Sequence, residues 1–424
     1  MTSEKAAVIR GYRSMLALIA DRPLYIWGAG NQGRGLCRVL EKQGMHLSGF
    51  IDSSAVVRNC RAIGYEVFSP EQVLHARGRA TPFVIIASFF HERDIAARCI
   101  EAGLVEGVDF VPYTAIKPFD YAIDISGVCN LRCISCPRSD RTRPRPPEGF
   151  MSPETFGRVL DKILDEDPLA GSVQLYQWGE PLLNPHIAEI IGYAAGRGVQ
   201  CAISSNLNDD RNLASAVKAG PAWFRVSVSG CGKNYETTHT GGSWERFHRN
   251  FMALAELRRL YNPDMKTEVY YHLYKHNQGE DIAAVRNLCE NSGFEFHPVY
   301  AYLISLDDVL KHCEGAPLPE SARKAEGMLA LDLDEGMKRA RAEADMDCLT
   351  LRCIYVNWNL SVSNCMMFFD IDDNVAAENF LETPLSTIAE RRRSCSLCRR
   401  CKRQALHRYC SVYSTTPMPR AAPS

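Results

Sequence analysis

What this sequence lacks first is an excess of either charge: 49 lysines and arginines stand against 50 aspartates and glutamates, a formal net charge of -1. Without a basic surplus there is no electrostatic case for a phosphate backbone, so nucleic acid is excluded as the expected partner. Long apolar runs are missing too. A membrane-spanning helix needs about 20 consecutive apolar residues, and no stretch of the chain reaches that. Met15–Ala20 is a short apolar patch without the cleavage pattern of a signal peptide. A soluble, cytoplasmic protein with no membrane partner is the expectation. Hydrophobic content of 46% against 23% charged is that of a globular chain, and 424 residues exceed one ordinary core, so two or three domains are expected.

Cysteine is what the chain has in abundance, with seventeen residues. With no export signal and many of them at short spacings, they read as metal or cluster ligands rather than disulfide partners. Cys37, Cys60, Cys99, Cys289 and Cys313 stand apart and read as small buried apolar residues.

In chain order, Pro23–Trp27 reads as a short buried strand, Gly28-Ala29-Gly30-Asn31-Gln32-Gly33 as a turn and Arg34–Gln43 as a helix. Leu47–Ile51 is a second strand, ending in Asp52, 24 residues after the first glycine. The first glycine permits the tight turn, the second lets backbone approach a ligand, and the third lets helix pack on strand, while the helix start offers N–H groups to a diphosphate. Gly28, Gly30, Gly33 and Asp52 are therefore candidate ligand-binding residues of a Rossmann-like domain over 1–116, completed by a strand at Phe83–Ala87 and a helix at Glu92–Ala102. The stretch Tyr25–Leu74, with Gly49-Phe50-Ile51-Asp52 and Gly64-Tyr65-Glu66-Val67 before a helix led by Pro70, resembles the N-terminal domain of nucleotide-sugar-modifying acyltransferases. That resemblance implies a nucleotide-sugar. A dinucleotide, or a docking domain without a ligand, stays open beside it.

From residue 117 to 312 strands and helices alternate, with strands expected at 121–126, 172–177, 200–205, 223–229, 267–274 and 294–301. Ser152 as N-cap and Pro153 at the first helical position start a helix whose Phe156, Val159, Leu160, Ile163 and Leu164 share one face. Repeated βα units with right-handed crossovers predict a partial (βα)6 TIM-like barrel, with chemistry at the carboxyl ends of its strands. Directly after the first strand stand three cysteines in eight residues, Cys129, Cys133 and Cys136. A structural zinc site takes four ligands, usually in cysteine pairs; a [4Fe-4S] cluster on three cysteines keeps one iron open. The spacing favours the open cluster, with zinc as the alternative.

Cys129-x3-Cys133-x2-Cys136 resembles the signature of radical S-adenosylmethionine enzymes. The resemblance implies that the open iron binds S-adenosylmethionine. Other strand ends resemble the family's cofactor-binding elements: Gly179 and Glu180 after the second strand, Ser204 and Asn206 after the third, Ser227 and Ser229 after the fourth, then His239, and Asn277 after the fifth. Trp178 stands where the family has a glycine, and Ser229 where it has an acid. Cys231 is a candidate hydrogen-atom donor, as in radical epimerases, against an ordinary loop cysteine. Arg138, Arg141, Arg143 and Arg145, among prolines 144, 146 and 147, form a basic loop, either solvated or a clamp on substrate phosphates or carboxylates.

Residues 313–345 read as a helical connector. Beyond them come seven cysteines in 63 residues: Cys348, Cys353, Cys365, Cys395, Cys398, Cys401 and Cys410. This small cysteine-rich Fe-S domain, 346–413, resembles the SPASM/Twitch extension of radical S-adenosylmethionine enzymes. The resemblance implies an auxiliary [4Fe-4S] cluster on Cys353, Cys365, Cys395 and Cys398. Leu360 replaces the glycine usual in its hairpin, and zinc is again the alternative. The Pro- and Ala-rich tail 414–424 reads as disordered.

The function these readings support is hydrogen abstraction from a small carbohydrate-type substrate, in its narrower form a nucleotide-sugar, with electrons from a donor such as flavodoxin or ferredoxin. A peptide- or protein-modifying maturase and a non-catalytic Fe-S electron-transfer protein are the rivals. The cofactor-binding elements at 179–180 and 204–206 argue against the last.

Overall fold

A computed structural model describes residues 15–19, 22–54, 61–74, 80–88, 91–117, 119–140, 148–304, 306–369 and 372–415. Cys60, the arginines at 141, 143 and 145, and the tail from residue 416 lie outside the described residues.

Six strands form the first sheet: β1 (Leu24–Trp27), β2 (Gly49–Ile51), β3 (Arg61–Ala62), β4 (Tyr65–Phe68), β5 (Phe83–Ile86) and β6 (Phe110–Pro112). Their order is β3-β4-β2-β1-β5-β6. All neighbours are parallel except β3 with β4. Strand alternation explains why β1 and β5 are apolar throughout. Leu24, Ile26, Phe83 and Ile85 enter one core cluster, and Tyr25, Trp27, Val84 and Ile86 enter another on the opposite face.

The second sheet has nine strands: β7 (Asp120–Ile123), β8 (Ser172–Gln174), β9 (Gln200–Ser205), β10 (Trp223–Val228), β11 (Lys266–Leu273), β12 (Glu295–Tyr300), β13 (Cys353–Val356), β14 (Val362–Ser363) and β15 (Val375–Ala377). Strands β7 to β12 run parallel in chain order as the six barrel units. The helix Pro153–Glu166 starts as its sequence dictates, with the Ser152 side chain accepting from Thr155 N and Pro153 in the first turn. Phe156, Val159, Leu160 and Ile163 are fully buried, each contributing about 1.5–3 kcal/mol. The cysteine-rich segment extends the barrel sheet: β13 pairs with β7 in parallel, Cys353 opposite Asp120, and β14 and β15 follow antiparallel. The expected connector is helical at Glu320–Met328 and Leu333–Ala342.

The helix Asn31–Lys42, which follows the glycine turn, lies against the amino ends of the barrel strands. A Cβ on Gly35 would sit 2.2 Å from Gly171 O, just before β8. Asn31 Nδ2 reaches Val173 O at 3.5 Å and Gln32 Nε2 donates to Asp120 at 2.7 Å. Arg34, 3% exposed, donates to Ala29 O at 2.8 Å, to Ala222 O at 3.3 Å and to Asp264 O. Lys42 donates to Arg197 O at 2.6 Å. All the barrel partners sit at or just before the first residues of strands.

Candidate active site at the carboxyl ends of the barrel strands

The loop carrying Cys129, Cys133 and Cys136 leaves the carboxyl end of β7. It is held from the far side of the barrel, because Arg132 N and Ile134 N donate to Thr240 O (2.9 Å) and Thr238 O (3.0 Å). Burial pushes the Cys129 thiol up to about 12, with the neighbouring Glu180 charge adding to it. Cys133 is raised well above its ordinary value by burial and then by Cys129 and Cys136. The three thiols thus share one pocket. Among the described residues, the trio whose ligand atoms all lie within 4.8 Å of one another is Glu268, Glu295 and His297, not the cysteines. That trio is already engaged by Lys266, 2.7 Å from Glu268 and 3.3 Å from Glu295. A single zinc ion gathers sulfurs about 2.3 Å from itself, tighter than these three stand, while a four-iron cluster takes a wider triad. The donor set fits the cluster.

The strand ends bring polar groups to the same place. Glu180, 3% exposed, accepts from Leu182 N at 3.1 Å and Asn206 N at 2.9 Å. Burial pushes its carboxyl up to about 7. Asn206 Nδ2 donates to Asn130 Oδ1 at 2.9 Å and approaches Cys129 Sγ at 3.9 Å. Gly179 is required here, since a Cβ would fall 1.6 Å from Ser126 O. Leu207, fully buried, holds φ +51, an uncommon backbone for a large side chain and one that marks the turn presenting Asn206.

Two residues that carry no motif, Asp124 and Trp358, build this site together with Arg138 of the basic loop. Asp124, which continues the inward alternation of β7 through Ala122, accepts from Trp178 N (2.9 Å), Gly179 N (3.3 Å) and the Tyr355 hydroxyl (3.3 Å). Burial raises its carboxyl to about 6. Arg138 donates to Trp178 O and Gly127 O, both at 2.9 Å, so the first arginine of the basic loop braces the Trp178–Gly179 turn. Trp358 packs on Gly127 and Gly149, where added Cβ atoms would lie 2.2 and 2.3 Å from its ring. An acid at an inward strand position was the one available signal for Asp124; nothing local marks Trp358, and Arg138, expected to be solvated or to clamp substrate, instead donates to backbone.

Other expected residues take different places. Ser204 and Ser227 are half-buried on β9 and β10, and Ser229 is buried past the end of β10. His239 is 5% exposed and stacks on Tyr235 at 4.4 Å; burial lowers it to about 4. Asn277 spends its side chain on its own turn, Oδ1 accepting from Tyr274 N at 2.8 Å and Nδ2 donating to His272 O at 2.9 Å. The structure does not join Cys231 to the cysteine loop. Its thiol donates to Asp281 O at 3.8 Å and packs against the strand–helix core, because it sits at the N-cap of Gly232–Thr238.

At the glycine turn, Gly28 has φ +118 and a Cβ there would meet Ala87 O at 2.7 Å; a Cβ on Gly33 would meet Gly28 O at 1.9 Å. Gly30 borders open space. Asp52 is turned inward, accepting from Ala29 N at 3.0 Å and Ser54 N at 2.9 Å. This turn belongs to the barrel's amino end, opposite the cysteine loop.

In the C-terminal segment the structure gathers a different set from the four expected ligands. Burial first, and then Cys365, Cys348, Cys398 and Cys410, drives the Cys401 thiol far up, so these thiols lie near it. Cys395 neighbours Cys398, donating to Asp373 O at 3.9 Å. Cys353 lies apart from them: strand pairing with β7 sets it in a small cluster with Ala122 and Tyr355. Arg392, 1% exposed, ties the surrounding backbone together by donating to Asn364 O, Leu351 O and Thr350 O.

A family model described as the radical SAM superfamily matches residues 123–284. The AdoMet-dependent heme synthase of Oleidesulfovibrio alaskensis (strain ATCC BAA-1058 / DSM 17464 / G20) is 26% identical over 139 residues, 32% of this chain and 34% of that protein. This chain therefore spans about a third of the length of the curated relative it matches. Similar solved structures include BtrN in complex with AdoMet and 2-DOIA (17% identity, 71% of this chain, 93% of that chain, TM-score 0.40). Another is anSMEcpe with bound AdoMet (14% identity, 71% and 92%, TM-score 0.46). Among the described residues no helix is long and apolar enough to cross a membrane. Residues 123–284, with their three-cysteine loop at the end of β7, are a radical SAM superfamily domain.

Proposed function

We propose that this chain is an enzyme that removes a hydrogen atom from a small carbohydrate-type substrate held in the barrel lumen, and that the C-terminal cysteines hold a second, auxiliary cluster. The observation that carries the hydrogen abstraction is the meeting of Cys129, Cys133, Cys136, Glu180 and Asn206 at neighbouring strand ends. When bound, the cluster and S-adenosylmethionine supply the one-electron chemistry that activates an unreactive C–H bond. The chain's own residues hold and aim. Cys129, Cys133 and Cys136 ligate the cluster, Gly179 leaves room for close approach, and Glu180 offers a carboxylate to an ammonium group. Asn206 orients beside it, and Arg138 with Asp124 fix the turn that presents Gly179 and Glu180. The auxiliary cluster draws its ligands from Cys348, Cys365, Cys398, Cys401 and Cys410. Electrons arrive from a flavodoxin- or ferredoxin-type donor. The glycine turn, at the other end of the barrel, serves as a docking element, and the substrate is not routed through it.

Anaerobic reconstitution of the wild type and a Cys133→Ala variant tests this. The wild type is expected to hold about eight irons per chain and the variant about four, with 5'-deoxyadenosine formed from S-adenosylmethionine by the wild type alone. Equal nucleoside yields from both proteins would refute the assignment of the cysteine loop.

A further inference from the structure

Below the strand-end site the barrel lumen holds a cation that the surrounding acids do not pair. On β10 the residues Phe224, Val226 and Val228 are sealed into the strand–helix core, so Arg225 and Ser227 face inward. Register sets Arg225 opposite Ser204 on β9 and Glu268 on β11. Its guanidinium lies 3.8 Å from the centroid of the Tyr270 ring, a cation–π contact. Tyr176 hydrogen-bonds to it, and Tyr302 and His272 stand close enough for their ionisation to respond to it.

Among the described residues no carboxylate lies within ion-pair distance of Arg225. Glu268, the acid opposite, is taken by Lys266 at 2.7 Å. Arg225 Nε is buried without a hydrogen-bond partner. An enclosed guanidinium with an idle donor is costly unless an anion completes it. Arg225, Tyr176, Ser227, Tyr270 and His272 are all half-buried rather than sealed, so the lumen is not packed solid around them.

We propose that Arg225 is the substrate's anion anchor, receiving a carboxylate or phosphate group within the barrel lumen. The planar fork of a guanidinium matches either oxyanion through two parallel hydrogen bonds. The tyrosine faces beside it suit a polar ring carrying that group. This rests on the reading that the lumen is the substrate chamber, and it narrows a carbohydrate-type substrate to an acidic or phosphorylated one.

The test uses the full-length, reconstituted protein, without turnover. Under anaerobic conditions it is labelled with phenylglyoxal in inorganic phosphate, in acetate, or in chloride of equal ionic strength, and adducts are mapped by mass spectrometry. Phosphate or acetate is expected to slow adduct formation at Arg225 about fivefold or more relative to chloride; the protecting anion tells phosphate from carboxylate. Equal rates in all three, or no adduct at Arg225 in any, would overturn the proposal. In Arg225→Met the rise in melting temperature produced by the protecting anion is expected to vanish, and its persistence would also overturn it. Neither measurement reads S-adenosylmethionine cleavage, so a failure here is distinct from a failure of the cysteine-loop assignment, which rests on 5'-deoxyadenosine and Cys133→Ala.

Discussion

Two strand-to-helix turns stand out in this chain, Gly28–Gly33 after β1 and Cys129–Cys136 after β7, and they meet opposite partners. The cysteine loop opens toward groups that converge on it from three other segments: Glu180, Asn206 and the Thr238–Thr240 turn. The glycine turn has the local geometry its pattern predicts, with Gly28 at positive φ and Gly33 against Gly28 O. Yet the first turn of its helix is spent on protein. Asn31 and Arg34 are 5% and 3% exposed and reach carbonyls at the amino ends of β8, β10 and β11. Of the turn's glycines, only Gly30, at the N-cap, borders open space. Both turns obey their motifs, and they differ in what packs against them.

Gly35→Leu is the most forceful way to break this comparison. A Cβ there would lie 2.2 Å from Gly171 O and 2.8 Å from Ser172 Cβ, so backbone would have to part. If the contact is a structural joint, calorimetry is expected to show a loss of about 3 kcal/mol or more, or a split into two transitions. Iron content of the folded fraction should hold. A Gly35→Leu protein with unchanged stability would mean the contact is not one that fixes the two sheets. At the opposite end, Glu180→Gln sharpens the contrast. It is expected to weaken S-adenosylmethionine binding by about 1.5–3 kcal/mol, the value of a hydrogen bond to a charged partner, and to lower stability by only about 1 kcal/mol, for the one backbone N–H left facing a donor. Titration calorimetry against the wild type reads the first and a thermal scan the second. A loss of stability with unaltered affinity would make Glu180 a brace like Arg34.

What could be read from residues alone follows the range of the interactions involved. The start at Ser152–Pro153 is written within four residues, since the cap bond runs from Thr155 N to Ser152. The inward and outward faces of β1, β7 and β10 follow from alternation. The cysteine loop is legible because a cluster's ligands lie within eight residues of chain. Contacts across the fold leave no such trace. Arg34 looks like an ordinary helical arginine, yet its guanidinium serves Asp264 O. Cys353 is a ligand in what the SPASM/Twitch resemblance implies, yet its parallel pairing with Asp120 sets it in a cluster with Ala122 and Tyr355. Cys348, five residues earlier and outside the strand, is the one that lies near Cys365. Cys231 follows an active-site strand, and its position as an N-cap turns its thiol to the helical layer.

The mildest test sits at the acid that closes the glycine motif. In a dinucleotide-binding domain this residue faces outward to a ribose hydroxyl. Here one Asp52 oxygen accepts from Ala29 N at 3.0 Å and the other from Ser54 N at 2.9 Å. Asn keeps one acceptor and exchanges the other for a donor, so Asp52→Asn is expected to lower stability by about 1 kcal/mol, one hydrogen bond's worth. Iron content and S-adenosylmethionine binding should not change, because the cysteine loop lies at the other end of the barrel. The discriminating measurement is a thermal shift of full-length wild type and Asp52→Asn with UDP-glucose and with NAD. If the turn is a joint, neither ligand moves either protein. A shift in the wild type that Asp52→Asn loses would instead return the acid to a ligand and make the amino end of the barrel a second site.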